Sequence, residues 1–132
     1  MEERRKVRRV SRLEILGPST WQEFLSSERA VLVLGKSDCD NCTRWSAELG
    51  EWLAGAQVWP NVRFGKLMLD TPGLVAFKRG NPWVAELDML PHTLIYRRGE
   101  IAKQFAGGGV ERLESRLQRS EEHTSELQSP YV

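Results

Sequence analysis

The chain has 132 residues, of which 40% are hydrophobic and five are tryptophan, so it is long enough to form one domain around one core. Its formal net charge of +1 excludes the strong overall field that attracts nucleic acid. The sequence has no run of eighteen apolar residues and no basic N-terminus followed by an apolar run and a cleavage site, which excludes a membrane span and a secretory signal. We therefore expect a soluble, cytoplasmic protein, in which a permanent structural disulfide is disfavoured.

Residues 1–11 are predicted to be a flexible, basic N-terminal segment. Although the whole chain is nearly neutral, this end of it carries a local cluster of positive charge. The cluster consists of Arg4, Arg5, Lys6, Arg8, Arg9 and Arg12. Such an arm can touch an acidic partner or phosphate, but no aromatic residues interleave with it and no nucleic-acid-binding motif follows. We interpret it as a solvated terminus and predict no nucleic-acid partner.

The first elements of the domain follow from short local patterns. Residues 12–16, RLEIL, predict a strand that ends at Gly17 and Pro18. Thr20 and Glu23 have the spacing of a capping box, which predicts a short helix over WQEFLSS. The continuous apolar run AVLVLG, residues 30–35, predicts a central strand that is covered on both faces.

Both cysteines of the chain lie in the next segment, SDCDNC, residues 37–42. Two thiols separated by two residues suit a redox pair, one half of a metal site, or a coincidence of two small buried residues. A zinc site needs about four ligands, and before the C-terminal tail the sequence offers only His92 in addition, so we predict no metal.

The rest of the domain predicts an α/β fold. A helix over TRWSAELGEWLAGA, from Thr43, has one apolar stripe that includes Trp45 and Trp52, both interpreted as core residues. VRFGKLML, residues 62–69, predicts a strand, and GLVAFKR and PWVAEL predict two helical pieces with a bend at 80–82, where Asn81 can cap and Pro82 can start a helix. Residues 92–108 predict a hairpin, and VERLESRL predicts a last helix. This order predicts a mixed central β-sheet with helices on both faces.

The C-terminal tail differs from the rest of the chain. RSEEHTSELQS, which begins at Arg119, resembles the conceptual translation of a common sequencing adaptor. We therefore place the domain at residues 12–118 and interpret 119–132 as an artefactual tail, disordered or weakly helical, and assign no function to His123.

The domain resembles the thioredoxin-like family. Three features carry the resemblance besides the element order: the Cys-x-x-Cys pair after the second strand, MLPHTLIYRRGE, in which Pro91 matches a cis-proline, and VRFGKLMLD, which contains Lys66. Gly107 and Gly108 match the bend before the final helix. The resemblance covers residues 12–118 and implies the thioredoxin fold.

The sequence also departs from the family pattern at three places. The motif reads Asp38-Cys39-Asp40-Asn41-Cys42 instead of Trp-Cys-Gly-Pro-Cys. Val33 occupies the position of a buried aspartate that accepts a proton from the second thiol, and the segment before the predicted cis-proline is longer by roughly half a dozen residues.

The resemblance implies that Cys39 attacks a disulfide and that Cys42, one turn further into the helix, resolves the product. The start of a helix favours a thiolate, and can lower the pKa of a thiol from about 8.5 to about 7. Asp38 and Asp40 oppose this effect, and Lys36 and Arg44 compensate in part, so we expect a less stabilised thiolate than in oxidising relatives, and hence a reductase.

The remaining candidate residues support the substrate. Leu90, beside Pro91, is expected to offer its backbone to an extended substrate segment. Asn41, which lies between the two cysteines, is also expected to support the substrate. His92 either donates to the thiolate or faces solvent, and Lys66 is either a catalytic neighbour or a lysine that reaches out of the sheet. Asp70 is interpreted as a turn residue.

The resulting prediction is a thiol-disulfide oxidoreductase that reduces disulfides in protein or small-molecule partners. It needs no bound organic cofactor and takes electrons from an external donor such as a thioredoxin reductase or glutathione. One alternative is a glutaredoxin-like, glutathione-dependent enzyme, for which the run Gly107–Gly109 is a hint. The other is a non-catalytic adaptor that has kept the fold.

Overall fold

The computed structural model describes residues 11–55 and 58–128, with side chains described as far as residue 120. Five strands are present: β1 (Leu13–Ile15), β2 (Arg29–Gly35), β3 (Arg63–Met68), β4 (His92–Arg97) and β5 (Glu100–Ala106). The α-helices are α1 (Trp21–Leu25), α2 (Asp40–Ala54), α3 (Val75–Gly80) and α4 (Val110–Gln128), and a 3₁₀ helix spans Pro82–Glu86.

The five strands form one mixed sheet in the order β1-β3-β2-β4-β5. β3 pairs in parallel with both β1 and β2, whereas β4 is antiparallel to β2 and to β5. All seven residues of β2 are buried, as expected for a continuous apolar run between two neighbouring strands. The predicted α/β class, the mixed sheet and the late hairpin are confirmed.

Each face of the sheet is covered by its own apolar cluster. One cluster includes Phe24 of α1, Phe77 of α3 and Val84 of the 3₁₀ helix. The other includes Trp45 of α2 and Leu113 of α4. Because both faces carry helices, the sheet is exposed to solvent only at its edges and ends.

The pairing brings four chain segments to one end of the sheet. The parallel strands β2 and β3 end there, and the loops that follow carry Cys39 and Asp70. In the antiparallel β4, His92 lies opposite Leu34 of β2, so β4 begins at the same end. Ala106 at the end of β5 lies opposite His92, which brings Gly107 there as well. The candidate site is therefore assembled at this end.

Two local predictions near the N-terminus are wrong. Arg12 is not part of a solvated arm: its guanidinium donates hydrogen bonds to the carbonyls of Val58, Trp59 and Val62 at 2.6 to 3.0 Å. Thr20 makes no capping hydrogen bond to α1, and its hydroxyl instead accepts the N–H of Gly17 at 2.9 Å. Its expected capping partner Glu23 binds Arg63 at 2.8 Å.

The two helical pieces between β3 and β4 are present, with a difference at the bend. Asn81 makes no capping hydrogen bond to the 3₁₀ helix, and its side chain donates to the carbonyl of Phe77 in α3 at 2.8 Å. It therefore ends the first piece rather than starting the second, while Pro82 occupies the first turn as predicted.

The predicted domain boundaries remain predictions. Residues 1–10 and 129–132 lie outside the described residues, so the flexible N-terminus is not tested. The last helix runs without a break from Val110 to Gln128 and so continues past the predicted boundary at residue 118. Over the described residues, every helix is too short or too polar to cross a bilayer.

Candidate functional site

The site is built on the first turn of α2. Cys39 has extended backbone angles and is the N-cap residue of the helix, and its sulfur accepts the backbone N–H of Cys42 at 3.1 Å. The next amide, of Thr43, donates to the carbonyl of Cys39 at 3.1 Å. A helix start has backbone N–H groups without a partner in the helix, and here one of them points at sulfur. This is an arrangement that stabilises negative charge on that atom.

The two cysteines are joined by a disulfide, with their Cα atoms 5.2 Å apart. Their surroundings differ, because Cys39 is half-buried whereas only 3% of Cys42 is exposed. Gly35 at the end of β2 gives Cys42 its place, since a Cβ there would lie 3.1 Å from both Cβ and Sγ of Cys42. An approaching molecule can therefore reach Cys39 but not Cys42.

The segment before β4 forms the opposite side of the site. The Leu90–Pro91 peptide bond is cis, and the carbonyl oxygen of Leu90 lies 3.7 Å from the sulfur of Cys39. The carbonyl of Pro91 accepts the N–H of Gly107 at 2.7 Å, which fixes the loop after β5 against the same segment.

Trp45 ties this loop to α2. Its indole N–H donates to the hydroxyl of Thr93 at 3.2 Å, and that hydroxyl donates to the carbonyl of Gly107 at 2.8 Å. Gly108 lies on the indole ring so closely that a Cβ would be 2.4 Å from its Cδ2 atom. Gly108 thus packs against Trp45, which is a core residue as predicted.

Asp70 has a contact that the sequence interpretation missed. Its carboxylate accepts hydrogen bonds from both the N–H and the hydroxyl of Ser37, two residues before Cys39. The hydroxyl of Ser37, followed by its backbone N–H and the charge of Lys36, lowers the pKa of Asp70 below its usual value. The parallel pairing of β2 and β3 was the available signal, because the loops after two such strands meet at one edge.

The polar residues of the cysteine motif are exposed. Asp38, Asp40 and Asn41 face solvent, as do Lys36 and Arg44. Solvent screens interactions between such exposed charges.

Lys66 lies in β3. It is directly opposite Val33 in the parallel register of β2 and β3, and only 3% of Val33 is exposed. Lys66 is half-buried, and its amine forms no ion pair with the residues that the structure describes. The side chain of Val33 is no proton acceptor.

His92 is turned away from both of its expected environments. Only 8% of the residue is exposed, and its Nε2–H donates to Oε1 of Gln104 at 2.8 Å, while its Nδ1 atom is buried with no partner among the described residues. The ring lies 6.3 Å from that of Trp83. The structure gives no contact between His92 and the cysteines.

A shallow groove of about 330 Å³ runs beside the cis peptide bond. It is lined by Asn41, Arg44, Leu90, Pro91 and Gly108, among others. Among the side chains that the structure describes, in residues 11–55 and 58–120, no three from His, Cys, Asp or Glu lie close enough to ligate one metal ion.

Comparison with protein-family models finds no match, and comparison with curated protein sequences finds no significant relative. Solved structures do match. The long form of thioredoxin f from spinach chloroplast shares 12% identity with a TM-score of 0.67, covering 89% of this chain and 93% of its own. Oxidised thioredoxin O2 from Arabidopsis thaliana shares 20% identity with a TM-score of 0.64, covering 83% and 94% respectively. Malassezia sympodialis thioredoxin shares 12% identity with a TM-score of 0.64, covering 83% and 91%. The chain therefore has the thioredoxin fold and carries a Cys-x-x-Cys pair at the start of the helix after its second strand.

Proposed function

We propose that this protein is a thiol-disulfide oxidoreductase that reduces disulfide bonds in partner molecules through Cys39 and Cys42. The observation that carries the proposal is the difference between the two sulfurs. Cys39 is half-buried at the helix start and accepts a backbone N–H, whereas Cys42 is buried one turn below it. One sulfur can meet a partner, and the other can only meet its neighbour.

The reaction balances over two exchange steps. In the reduced protein, the Cys39 thiolate attacks one sulfur of the partner disulfide, forms a mixed disulfide and releases the first partner thiolate. Cys42 then loses its proton and attacks Cys39, which forms the intramolecular disulfide and releases the second partner thiolate. The partner gains two electrons from the protein, and its two thiolates take up two protons: one replaces the proton lost by Cys42, and the other comes from solvent, to which Cys39 had already lost its own.

An external thiol donor must then reduce the protein again. We propose a thioredoxin reductase or glutathione in this role, and a reducing, cytoplasmic location in which such donors operate. The side chain of Val33 is no proton acceptor, so in this proposal the proton of the second thiol passes to water or to the partner.

The backbone of Leu90 and the groove beside Pro91 are proposed to position the partner. A carbonyl 3.7 Å from the attacking sulfur can accept a hydrogen bond from an extended segment that presents its disulfide to Cys39. We assign Asn41, which lines the groove, to partner contact, and Asp38 and Asp40 to the electrostatics of the thiolate. Lys66 and His92 have no partner-contacting role in this proposal.

The test is a trapping experiment with a disulfide-bonded peptide. We expect the Cys42→Ser variant to accumulate a mixed disulfide through Cys39, detected by mass spectrometry, because its resolving thiol is missing. The wild type is expected to release two peptide thiols per protein and end as the intramolecular disulfide.

Cys39→Ser is the matched control, since it keeps a thiol at position 42 that is buried. It is expected to give neither peptide reduction nor a mixed disulfide. Equal reduction by Cys39→Ser, or no reduction by the wild type, would contradict the proposal and favour an adaptor that has kept the fold.

A further inference from the structure

A second pocket lies on the other side of Leu90 from the groove. Its volume is about 470 Å³, and its walls are mainly apolar. The lining residues are Lys36, Leu69, Lys78, Pro82, Val84, Ala85, Leu87 and Leu90. The 3₁₀ helix forms one wall, since Pro82, Val84 and Ala85 belong to it.

The charges on this pocket have one sign. Lys36 and Lys78 are both exposed, and neither forms an ion pair or a side-chain hydrogen bond in the part of the chain that the structure describes. No acidic residue lines the pocket among the described residues. Asp70, whose charge interacts with Lys36, already accepts hydrogen bonds from the N–H and the hydroxyl of Ser37. The pocket therefore complements an apolar group that has a negative charge next to it.

The position of Leu90 connects this pocket to the reacting sulfur. Leu90 lines both the pocket and the groove beside Pro91, and its carbonyl oxygen is 3.7 Å from the sulfur of Cys39. A molecule that fills the pocket and also brings a disulfide to Cys39 must extend along the backbone of Leu90. A polypeptide segment has the necessary shape, with side chains at regular spacing.

We propose that the pocket lined by Lys36 and Lys78 receives an apolar side chain and an adjacent carboxylate from the polypeptide that flanks the partner's disulfide. The inference rests on the proposed function for its partner class. It adds a selection among disulfide-containing proteins, in favour of those with an acidic and apolar sequence beside the cysteine.

The test measures binding without thiol chemistry. The double variant Cys39→Ser/Cys42→Ser is titrated, by fluorescence anisotropy, with labelled peptides that carry Leu-Glu or Leu-Lys on both sides of a central serine. We expect the Leu-Glu peptide to bind about tenfold more tightly, the effect of a charge-assisted contact. Adding Lys78→Glu should remove this preference, and adding Ala85→Trp should weaken both peptides by filling the pocket.

Two neighbouring substitutions serve as matched controls. Arg79→Glu changes the same charge one residue along α3, and Ala76→Trp adds the same ring to this helix, and neither residue lines the pocket. Both variants are expected to keep the preference and the affinity. A preference that is absent, or that Lys78→Glu and Arg79→Glu reduce equally, would overturn the proposal.

Two further measurements distinguish a polypeptide ligand from a small carboxylate, and failure of this proposal from failure of the proposed function. If octanoate binds with a Lys78-dependent affinity equal to that of the peptide, the pocket is a site for small carboxylates and docking of a polypeptide is overturned. Reduction of a neutral disulfide peptide by the wild-type protein reports on the proposed function alone. A Leu-Glu preference without any reduction would support the pocket and reject the reductase, whereas reduction without the preference would do the opposite.

Discussion

The loop before Cys39 is positioned by Asp70, a residue in the loop that follows β3. Its carboxylate accepts hydrogen bonds from the N–H and the hydroxyl of Ser37. These bonds connect the loop after β3 to the loop that leads into α2. The sequence predicted the strand before Asp70 and the turn that contains it, and both are present, but it did not predict the contact with Ser37. A contact between loops depends on which strands pair, and a single sequence does not state the pairing.

Substitution of Asp70 by asparagine should change how stability depends on pH. Ser37 lowers the pKa of the folded carboxyl, whereas the unfolded chain has the ordinary value of about 3.9. The stabilisation by ionised Asp70 is therefore complete above about pH 5 and is lost as the pH falls through the lower pKa of the folded state. We expect urea unfolding to show wild type more stable than Asp70→Asn near neutral pH, with the difference shrinking below about pH 4.

Asp88→Asn is the control, because the exposed side chain of Asp88 makes no hydrogen bond or ion pair within the described residues. Its difference in stability from wild type measures the effect of removing one exposed carboxylate that has no such contact. A difference for Asp70→Asn that stays constant from neutral to acidic pH would contradict the assignment of the Ser37 contact.

At the scale of single elements, the strongest apolar patterns gave the most accurate predictions. The run 30–35 became the central strand β2, and the stripe with Trp45 and Leu49 became the buried face of α2. Capping was predicted less well: Thr20 binds Gly17 instead of α1, and α2 begins at Asp40 because the sulfur of Cys39 serves as its cap. A cap depends on hydrogen bonds between a side chain and the backbone a few residues away, and several such bonds compete. The periodic pattern of apolar residues does not show which of them forms.

The loop after β5 depends on α2 through Gly108, and this dependence can be measured. An alanine Cβ at this position would lie 2.4 Å from Trp45, whose indole is fixed by its hydrogen bond to Thr93. We expect Gly108→Ala to lower the free energy of unfolding by about 1–3 kcal/mol, measured by urea denaturation.

Gly50→Ala is the matched substitution within α2. Nothing lies within 4 Å of a Cβ at Gly50, so alanine there should stabilise the protein by about 0.5–1 kcal/mol through its helix propensity. If Gly108→Ala were as stable as wild type, the backbone at Gly108 would have to lie farther from the Trp45 ring than it does in the structure.

At the scale of the whole molecule, the element order was sufficient to predict the mixed sheet. The residues of the candidate site were predicted from the cysteine motif and the family resemblance. Neither of the pockets beside Leu90 could be predicted in this way. Each is lined by residues from segments distant in sequence, such as Lys36 and Lys78 in one and Arg44 and Gly108 in the other. Their shapes depend on the placement of the 3₁₀ helix and of the glycine loop, which follows from packing in three dimensions.

The extent of the domain can be tested by shortening α4. Leu113 and Leu117 are completely buried against the sheet, and both remain in a chain that ends at Gln118. We expect that chain to unfold cooperatively in urea, with a slope close to that of the full chain, because it keeps Leu113 and Leu117 in the core. Arg29 contacts Ser120 and the carbonyl of Leu117 at 3.4 to 3.5 Å, so loss of Ser120 should lower stability only by about 1 kcal/mol.

A chain that ends at Arg112 is the control, since it lacks both leucines. Removal of each buried leucine costs about 2–5 kcal/mol, and the total stability of a small domain is about 5–15 kcal/mol, so this shorter chain should lose its cooperative transition. If the chain that ends at Gln118 also fails to fold, residues beyond 118 belong to the core, and the domain boundary drawn at this position is wrong. Cooperative unfolding of the longer variant alone would place the end of the core at the turn of α4 that contains Leu117.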